Sequence, residues 1–197
     1  MTTALIISQV LLWIVLGLTL LGGLALARQV GVLYERVAPV GALTATRGPE
    51  PGSVAPRLKL AALDGQTIEI GGPSASGRSS LVLFVSAQCP VCKVLIPTAR
   101  EVARSEGLDL ILAGDAPEAE QRALIMKHGL GDLPFVNSSE FGRTYAVDKL
   151  PHAILIDGKG IIAGRGLVNS REHLESLVEA RDSGLRSVQE YLSAARA

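Results

Sequence analysis

Hydrophobic residues fill the first part of the chain without a charged side chain among them. Between residues 4 and 27 the only polar side chains are Ser8, Gln9 and Thr19. As a helix this stretch would span about 36 Å, which is enough to cross a bilayer. It has no amphipathic stripe, unlike a core helix, and it exceeds the usual apolar core of a signal peptide. We predict a transmembrane anchor and juxtamembrane helix over residues 1–37, with a cleaved signal peptide as the alternative.

The composition changes after the anchor. Residues 38–51 are rich in proline and glycine and show no sustained apolar period, which predicts a linker. Residues 52–197 are numerous enough for one hydrophobic core, so we predict a single soluble domain there.

Strand-like and helix-like patterns alternate in the first half of this domain. Leu58–Leu60 and Thr67–Ile70 alternate in polarity on either side of Asp64-Gly65, which predicts a hairpin. A continuous apolar run over residues 81–87 predicts a buried strand, and residues 108–113 predict a second one. We expect a helix after each of these strands. We expect the second of these helices to begin with Pro117 at its first position.

The second half of the domain predicts a further hairpin and a helix. Ala153–Asp157 and Ile161–Gly164 flank a glycine-containing turn. Asn169 precedes Glu172 by three residues and predicts a capping box for a helix that ends near Ala180. A last helix is possible over residues 185–197.

The chain has two cysteines, and they form the motif Cys89-Pro90-Val91-Cys92 at a predicted strand-to-helix junction. This spacing allows both sulfurs to lie on one helical turn, where the helix amides and dipole favour a thiolate at the first cysteine. Pro90 suits the first helical position, which leaves the amides of Val91 and Cys92 free to face that sulfur. We predict a redox-active dithiol with Cys89 as nucleophile and Cys92 as resolving thiol.

Two other roles for the cysteines are less favoured by the sequence. No second cysteine pair exists, and His128, His152 and His173 lack the spacing that would complete a zinc site, so we predict no metal. A disulfide between residues this close would constrain the unfolded chain very little, so a purely structural role is disfavoured. Because the net charge is zero and basic residues do not cluster, we also expect no nucleic-acid partner.

The order of elements and the position of the dithiol resemble the thioredoxin-like fold. Pro97 lies where that family has its helix kink, and Leu150-Pro151 directly precedes a strand. The resemblance implies a mixed central sheet flanked by helices, in an α/β domain. It also implies a cis Pro151 beside the dithiol, with Leu150 offering backbone groups to an extended client peptide. His152 either lines this groove or is an ordinary strand-edge histidine.

Longer segments are similar to the MauD family of methylamine utilisation proteins. The segments that carry this resemblance are residues 27–42, Cys89–Lys93, Lys149–Pro151 and 166–177. The resemblance implies a thiol-disulfide oxidoreductase or isomerase in the inner membrane, with its domain facing the periplasm and residues 4–27 as the anchor. It implies that the client is a cysteine-containing protein, the small (beta) subunit of methylamine dehydrogenase, and that a second redox protein exchanges electrons with the dithiol. No cofactor is expected beyond the Cys89-Cys92 disulfide itself.

Membrane orientation and client remain open from the residues alone. Arg28 and Arg36 follow the anchor and no basic residue precedes it, so a count of positive charges would place the domain in the cytoplasm. Reduction of apocytochrome c thiols, thiol peroxidase activity and non-catalytic client binding are the alternative functions. Gln88 replaces a tryptophan common in relatives and receives no catalytic role. We expect Lys93 to be a solvated lysine and His128 to be a dipole partner at a helix end.

Overall fold

The computed structural model describes residues 2–36 and 48–184. The chain divides into two compact units, one ending at Ala45 and the other beginning at Thr46. The predicted helix over residues 185–197 lies outside the described residues, as does the predicted linker up to residue 47.

The N-terminal unit contains one long helix, α1, over Thr2–Arg36. Its segment Leu5–Ala25 is the one part of the described chain that is long and apolar enough to cross a membrane. The large apolar side chains of this segment are exposed, from Leu5 to Leu24. Because these apolar side chains are exposed on all sides of the helix, the helix suits the lipid interior of a membrane and not a protein core.

The C-terminal unit has a two-stranded sheet and a five-stranded sheet. The small sheet pairs β1 with β2 in antiparallel fashion, and the large one has the order β5-β4-β3-β6-β7. Strands β3, β4 and β5 are parallel, whereas β6 is antiparallel to both β3 and β7. The strands are β1 (Leu58–Ala61), β2 (Thr67–Ile70), β3 (Ser80–Phe84), β4 (Asp109–Gly114), β5 (Phe135–Asn137), β6 (His152–Ile156) and β7 (Ile162–Leu167).

Helices cover both faces of the large sheet. They are α2 (Pro90–Ser105), α3 (Glu118–His128), α4 (Ser139–Thr144) and α5 (Arg171–Ser183). The buried faces of α2, α3 and α5 pack with Leu83, Leu112 and Leu155 of the sheet into one apolar cluster. On the other face, Phe141 and Tyr145 pack with the hairpin residues Leu60 and Ile70 and with Phe84. The mixed sheet between helices confirms the predicted fold class.

Several predicted boundaries were displaced by one to a few residues, among them the following three. Strand β3 ends at Phe84 and not at residue 87, and residues 87 and 88 form the turn that leads to the dithiol. Pro117 is the N-cap of α3 and not its first helical residue. The N-cap of α5 is Ser170, so the predicted cap at Asn169 was wrong by one position. Both are polar residues that suit an N-cap, and the extended backbone at Ser170 decides between them.

Candidate active site

The two cysteines lie at the start of α2, directly after the central strand β3. Cys89 is the N-cap, with extended backbone angles, and Pro90 occupies the first turn as predicted. The backbone N–H of Cys92 donates to the Cys89 sulfur over 3.2 Å. This is the arrangement of an N-cap in which sulfur takes the place of the usual side-chain oxygen. Both cysteines are free thiols in this structure.

The two thiols differ sharply in exposure. Cys89 is partly exposed, whereas Cys92 is fully buried in the apolar cluster beneath α2. Burial, reinforced by the neighbouring Cys89 and opposed by the backbone of Ser86, raises the pKa of the Cys92 thiol to about 12. A buried, protonated thiol cannot reach a client first. The geometry therefore assigns the first attack to Cys89 and the later, resolving attack to Cys92.

Ser86 bonds to Cys89 and to its neighbour Gln88, and sequence reasoning did not predict this. Its carbonyl accepts the N–H of Cys89 at 3.1 Å, and its hydroxyl accepts the N–H of Gln88 at 3.2 Å. Ser86 thereby fixes the turn between β3 and α2, a role visible only once the chain is folded.

The Leu150–Pro151 peptide bond is cis, as the resemblance implied. Pro151 is buried, and its carbonyl accepts the N–H of Val168 at 3.0 Å, while Leu150 is exposed. His152, the next residue, is paired with Phe84, the last residue of β3. The proline loop and the dithiol therefore lie at the same end of the sheet, where a client peptide could contact both.

His152 is a buried, neutral side chain. It is only 5% exposed, and its Nε2 lies 3.5 Å from the guanidinium of Arg165. Burial, reinforced by the charge of Arg165 and opposed by Asp148, lowers the pKa of His152 to about 4. Its place inside the fold, beneath the proline loop, argues for a packing role over direct contact with a client.

A pocket of about 140 Å³ opens beside the proline loop. Its walls come from the end of β3, the end of β4, the start of α4 and the loop before Pro151. Asp115, Ser138, Asp148 and Lys149 supply its polar groups. The pocket adds polar groups beside the proline loop that a client peptide could contact in addition to the dithiol.

Full-length relatives decide the family. The chain is 42% identical over 194 residues to the methylamine utilization protein MauD of Paracoccus denitrificans, covering 98% of this chain and 96% of that protein. It is also 42% identical over 189 residues to MauD of Methylorubrum extorquens, covering 96% and 92% of the two chains. The chain belongs to the MauD family. No protein-family model matches it.

Solved structures show the fold of this MauD-family chain. The thioredoxin domain of a thiol-disulfide oxidoreductase from Bacteroides vulgatus superposes with a TM-score of 0.51 at 21% identity, over 65% of this chain and 97% of that one. StoA from Bacillus subtilis gives a TM-score of 0.52 at 20% identity, over 65% and 99%. The fold is thioredoxin-like. In this fold Cys89 and Cys92 lie at the start of α2, directly after the central strand.

In the part of the chain that the structure describes, the remaining sequence candidates make no hydrogen bond to the two thiols of this MauD-family chain. Gln88 is exposed and donates its side-chain amide to Glu120 of α3 at 3.3 Å. Lys93 is partly exposed on α2, and Val91 is exposed beside the dithiol. His128 is the last residue of α3, far along the chain from the dithiol. Among the described residues no group of three or more histidine, cysteine or acidic side chains could hold a metal ion.

Proposed function

We propose that this chain is a membrane-anchored thiol-disulfide oxidoreductase that acts on disulfides of the methylamine dehydrogenase small subunit during its maturation. The observation that carries the chemistry is the pairing of a partly exposed Cys89 with a buried Cys92 whose N–H reaches the Cys89 sulfur. The names of the full-length relatives, methylamine utilization proteins, support the assignment of the client. The dithiol itself is the redox group, without a bound cofactor.

The reaction needs only sulfur chemistry. The Cys89 thiolate attacks one sulfur of a client disulfide, and the other client sulfur leaves as a thiolate and takes up a proton. Cys92 then loses its proton and attacks Cys89, which releases the second client thiolate and leaves the Cys89-Cys92 disulfide. The client is reduced by two electrons and the dithiol is oxidised by two. In the opposite direction a client thiolate attacks the Cys89-Cys92 disulfide, and a second redox protein restores the starting state.

Resolution by the client gives a third outcome. When a second client thiol attacks the mixed disulfide before Cys92 does, a new client disulfide forms and the dithiol returns unchanged. The burial of Cys92 supports this outcome, because a protonated resolving thiol lengthens the life of the mixed disulfide.

The membrane arrangement is part of the same proposal. The apolar segment Leu5–Ala25 supports insertion in the inner membrane, and the resemblance to MauD supports a domain on the periplasmic side. A membrane-impermeant maleimide applied to intact cells tests the side, since Cys89 and Cys92 are the only thiols of the chain. Labelling without lysis supports a periplasmic domain, and labelling only after lysis contradicts it.

The client assignment is tested by trapping. A Cys92→Ser variant, expressed in methylamine-grown cells that lack the wild-type chain, should accumulate a mixed disulfide between Cys89 and the small subunit of methylamine dehydrogenase. A Cys89→Ser, Cys92→Ser double variant should trap nothing and should leave the dehydrogenase inactive. Trapped apocytochrome c would assign the chain to cytochrome maturation, and an active dehydrogenase beside the double variant would make the chain a binding tether. Turnover of hydrogen peroxide by the wild type would point to a peroxidase.

A further inference from the structure

Arg165 of β7 joins two parts of the domain that are far apart in the sequence. Its Nη1 donates to the carbonyl of Pro49, and its Nη2 donates to the carbonyl of Ala146, each over 3.2 Å. Nη2 also lies 3.5 Å from Nε2 of His152. Because the donors of a guanidinium form a rigid planar fork, one arginine can fix two backbone groups relative to each other.

The guanidinium of Arg165 fits closely between these two backbone segments. A Cβ atom on Gly48 would collide with Nη1 of Arg165 and would lie 2.9 Å from the Cβ of Ala146. Glycine at position 48 therefore leaves the space that the guanidinium occupies. The close fit and the two hydrogen bonds are separate signs that the side chain has one defined position.

Ala146 has an unusual backbone conformation. Its φ is +47°, and no other non-glycine residue in the described ranges 2–36 and 48–184 has a positive φ. An L-residue in this region is sterically disfavoured and persists where its surroundings fix it. The N–H of Ala146 donates to the carbonyl of Arg143 at 3.0 Å, and its own carbonyl accepts from Arg165. Arg165 thus supplies one of the two bonds that hold this conformation.

The loop that follows Ala146 leads directly to the cis proline. Residues 147–150 line the pocket beside the proline loop, together with the end of β3. At the far end of this loop, the carbonyl of Pro151 accepts the N–H of Val168 at 3.0 Å. The loop is therefore held at one end by Val168 and at the other by Arg165. A loop that is already fixed does not have to be ordered when a peptide binds, and such ordering lowers affinity.

We propose that Arg165 is a positioning residue for client binding, which holds residues 147–150 where an extended, cysteine-bearing client peptide needs them. None of the hydrogen bonds described for Arg165 reaches Cys89 or Cys92, so it acts on the fit of the peptide and not on the sulfur chemistry. This inference rests on the proposed function, since it concerns how a client of the dithiol is held.

Two disulfide probes with the same leaving group separate fit from chemistry. One is N-acetylcysteine amide linked through its sulfur to thionitrobenzoate. The other is a nine-residue peptide of alanine and serine with the same linked cysteine at its centre. With both probes the Cys89 thiolate bonds to the cysteine sulfur, the bond to thionitrobenzoate breaks, and thionitrobenzoate leaves as a coloured thiolate. The ratio of the two rate constants, measured with the reduced full-length protein in detergent, reports the contribution of the peptide flanks.

We expect the wild type to react faster with the peptide than with the single cysteine. Arg165→Lys keeps the charge but cannot hold both carbonyls. It should lower the rate constant for the peptide about fivefold, the effect of one lost hydrogen bond, and change that for the single cysteine less than about twofold.

Arg78→Lys is the matched control. Arg78 also donates to two backbone carbonyls, those of Gly107 and Leu108 at 3.0 and 3.2 Å, but it precedes β3 and so lies at the opposite end of the sheet from the dithiol. Its substitution should leave both rate constants near the wild-type values even where it lowers stability.

Arg165→Met removes the fork, keeps an apolar stem and serves if circular dichroism shows that the lysine variant does not fold. Equal slowing with both probes, or an unchanged ratio in a folded Arg165 variant, overturns the inference. Equal rate constants for the two probes in the wild type overturn it as well. A wild type that releases no thionitrobenzoate from either probe instead contradicts the proposed dithiol function.

Discussion

The backbone N–H of Cys92 points at the sulfur of Cys89 across 3.2 Å, while the Cys92 side chain is turned into the core. Cys92 thus donates its backbone N–H to the sulfur of the nucleophile Cys89, while its own thiol stays buried until the resolving step. The order of attack follows from this placement, because a client can reach Cys89 and cannot reach Cys92.

The first prediction concerns this division of labour. Cys89→Ser should abolish the reaction with any client disulfide, because the remaining thiol is buried and protonated. Cys92→Ser should still react once and then remain in a mixed disulfide, which non-reducing electrophoresis detects as one adduct per chain. Efficient multiple turnover by Cys92→Ser would show that clients resolve every adduct and that Cys92 is dispensable.

The second prediction is a pH dependence of the resolving step. The pKa of Cys92 is raised to about 12, chiefly by burial, and we expect Cys92 to stay buried while Cys89 is in a mixed disulfide. Only the thiolate attacks, and far below the pKa its fraction rises about tenfold per pH unit. Dithiobisnitrobenzoate releases one coloured thiolate when Cys89 attacks it and a second when Cys92 displaces the thiolate bound to Cys89. The rate of the second release should therefore rise about tenfold per pH unit between about pH 6 and 9. A plateau near neutral pH would contradict the assigned environment of Cys92.

The third prediction concerns stability in acid. Burial lowers the pKa of His152 from 6.5 to about 4, so the folded chain keeps this histidine neutral while the unfolded chain protonates it. Stability should fall as pH decreases from about 6.5 to about 4, by up to about 3 kcal/mol. Urea unfolding of His152→Leu should show a shallower pH dependence over this range than the wild type. The exposed His173→Leu serves as control and should keep the wild-type slope.

The fourth prediction concerns Arg165, which ties the start of the domain to the proline loop. Its guanidinium donates to the carbonyls of Pro49 and Ala146, each at 3.2 Å. Lysine cannot reproduce this fork, so Arg165→Lys should lower the free energy of unfolding by about 1–2 kcal/mol. Arg171→Lys, on an exposed surface ion pair with Glu101 and Glu175, should leave the urea midpoint nearly unchanged. Equal effects of the two substitutions would contradict the structural role of Arg165.

The dithiol junction could be predicted from the sequence because its signals are local. An apolar run leads to Cys89, Pro90 suits the first turn of a helix, and the spacing of the cysteines places both on one turn. The two hairpins were predicted for the same reason, since their turns carry Asp64-Gly65 and Gly158-Lys159-Gly160.

Short elements and distant contacts could not be predicted in this way. Strand β5 has 3 residues and α4 has 6, too few for either to show a period, and both were missed. The place of β5 is set by its pairing with β4. The place of α4 is set by packing of Phe141 against Phe84, whose ring centroids are 4.8 Å apart. Gln88 donates to Glu120, which is 32 residues further along the chain, and only the fold brings α3 beside the dithiol.

The central claim is that Cys89 and Cys92 form a reversible two-electron couple, and its most direct test is the reduction potential of the full-length protein in detergent. The protein is equilibrated with glutathione buffers of varied ratio, its free thiols are trapped, and the oxidised fraction is measured at each ratio. We predict one reversible transition in which both thiols disappear together, with a potential between about −270 and −120 mV. No reversible transition, or the loss of one thiol without the other, would contradict the claim.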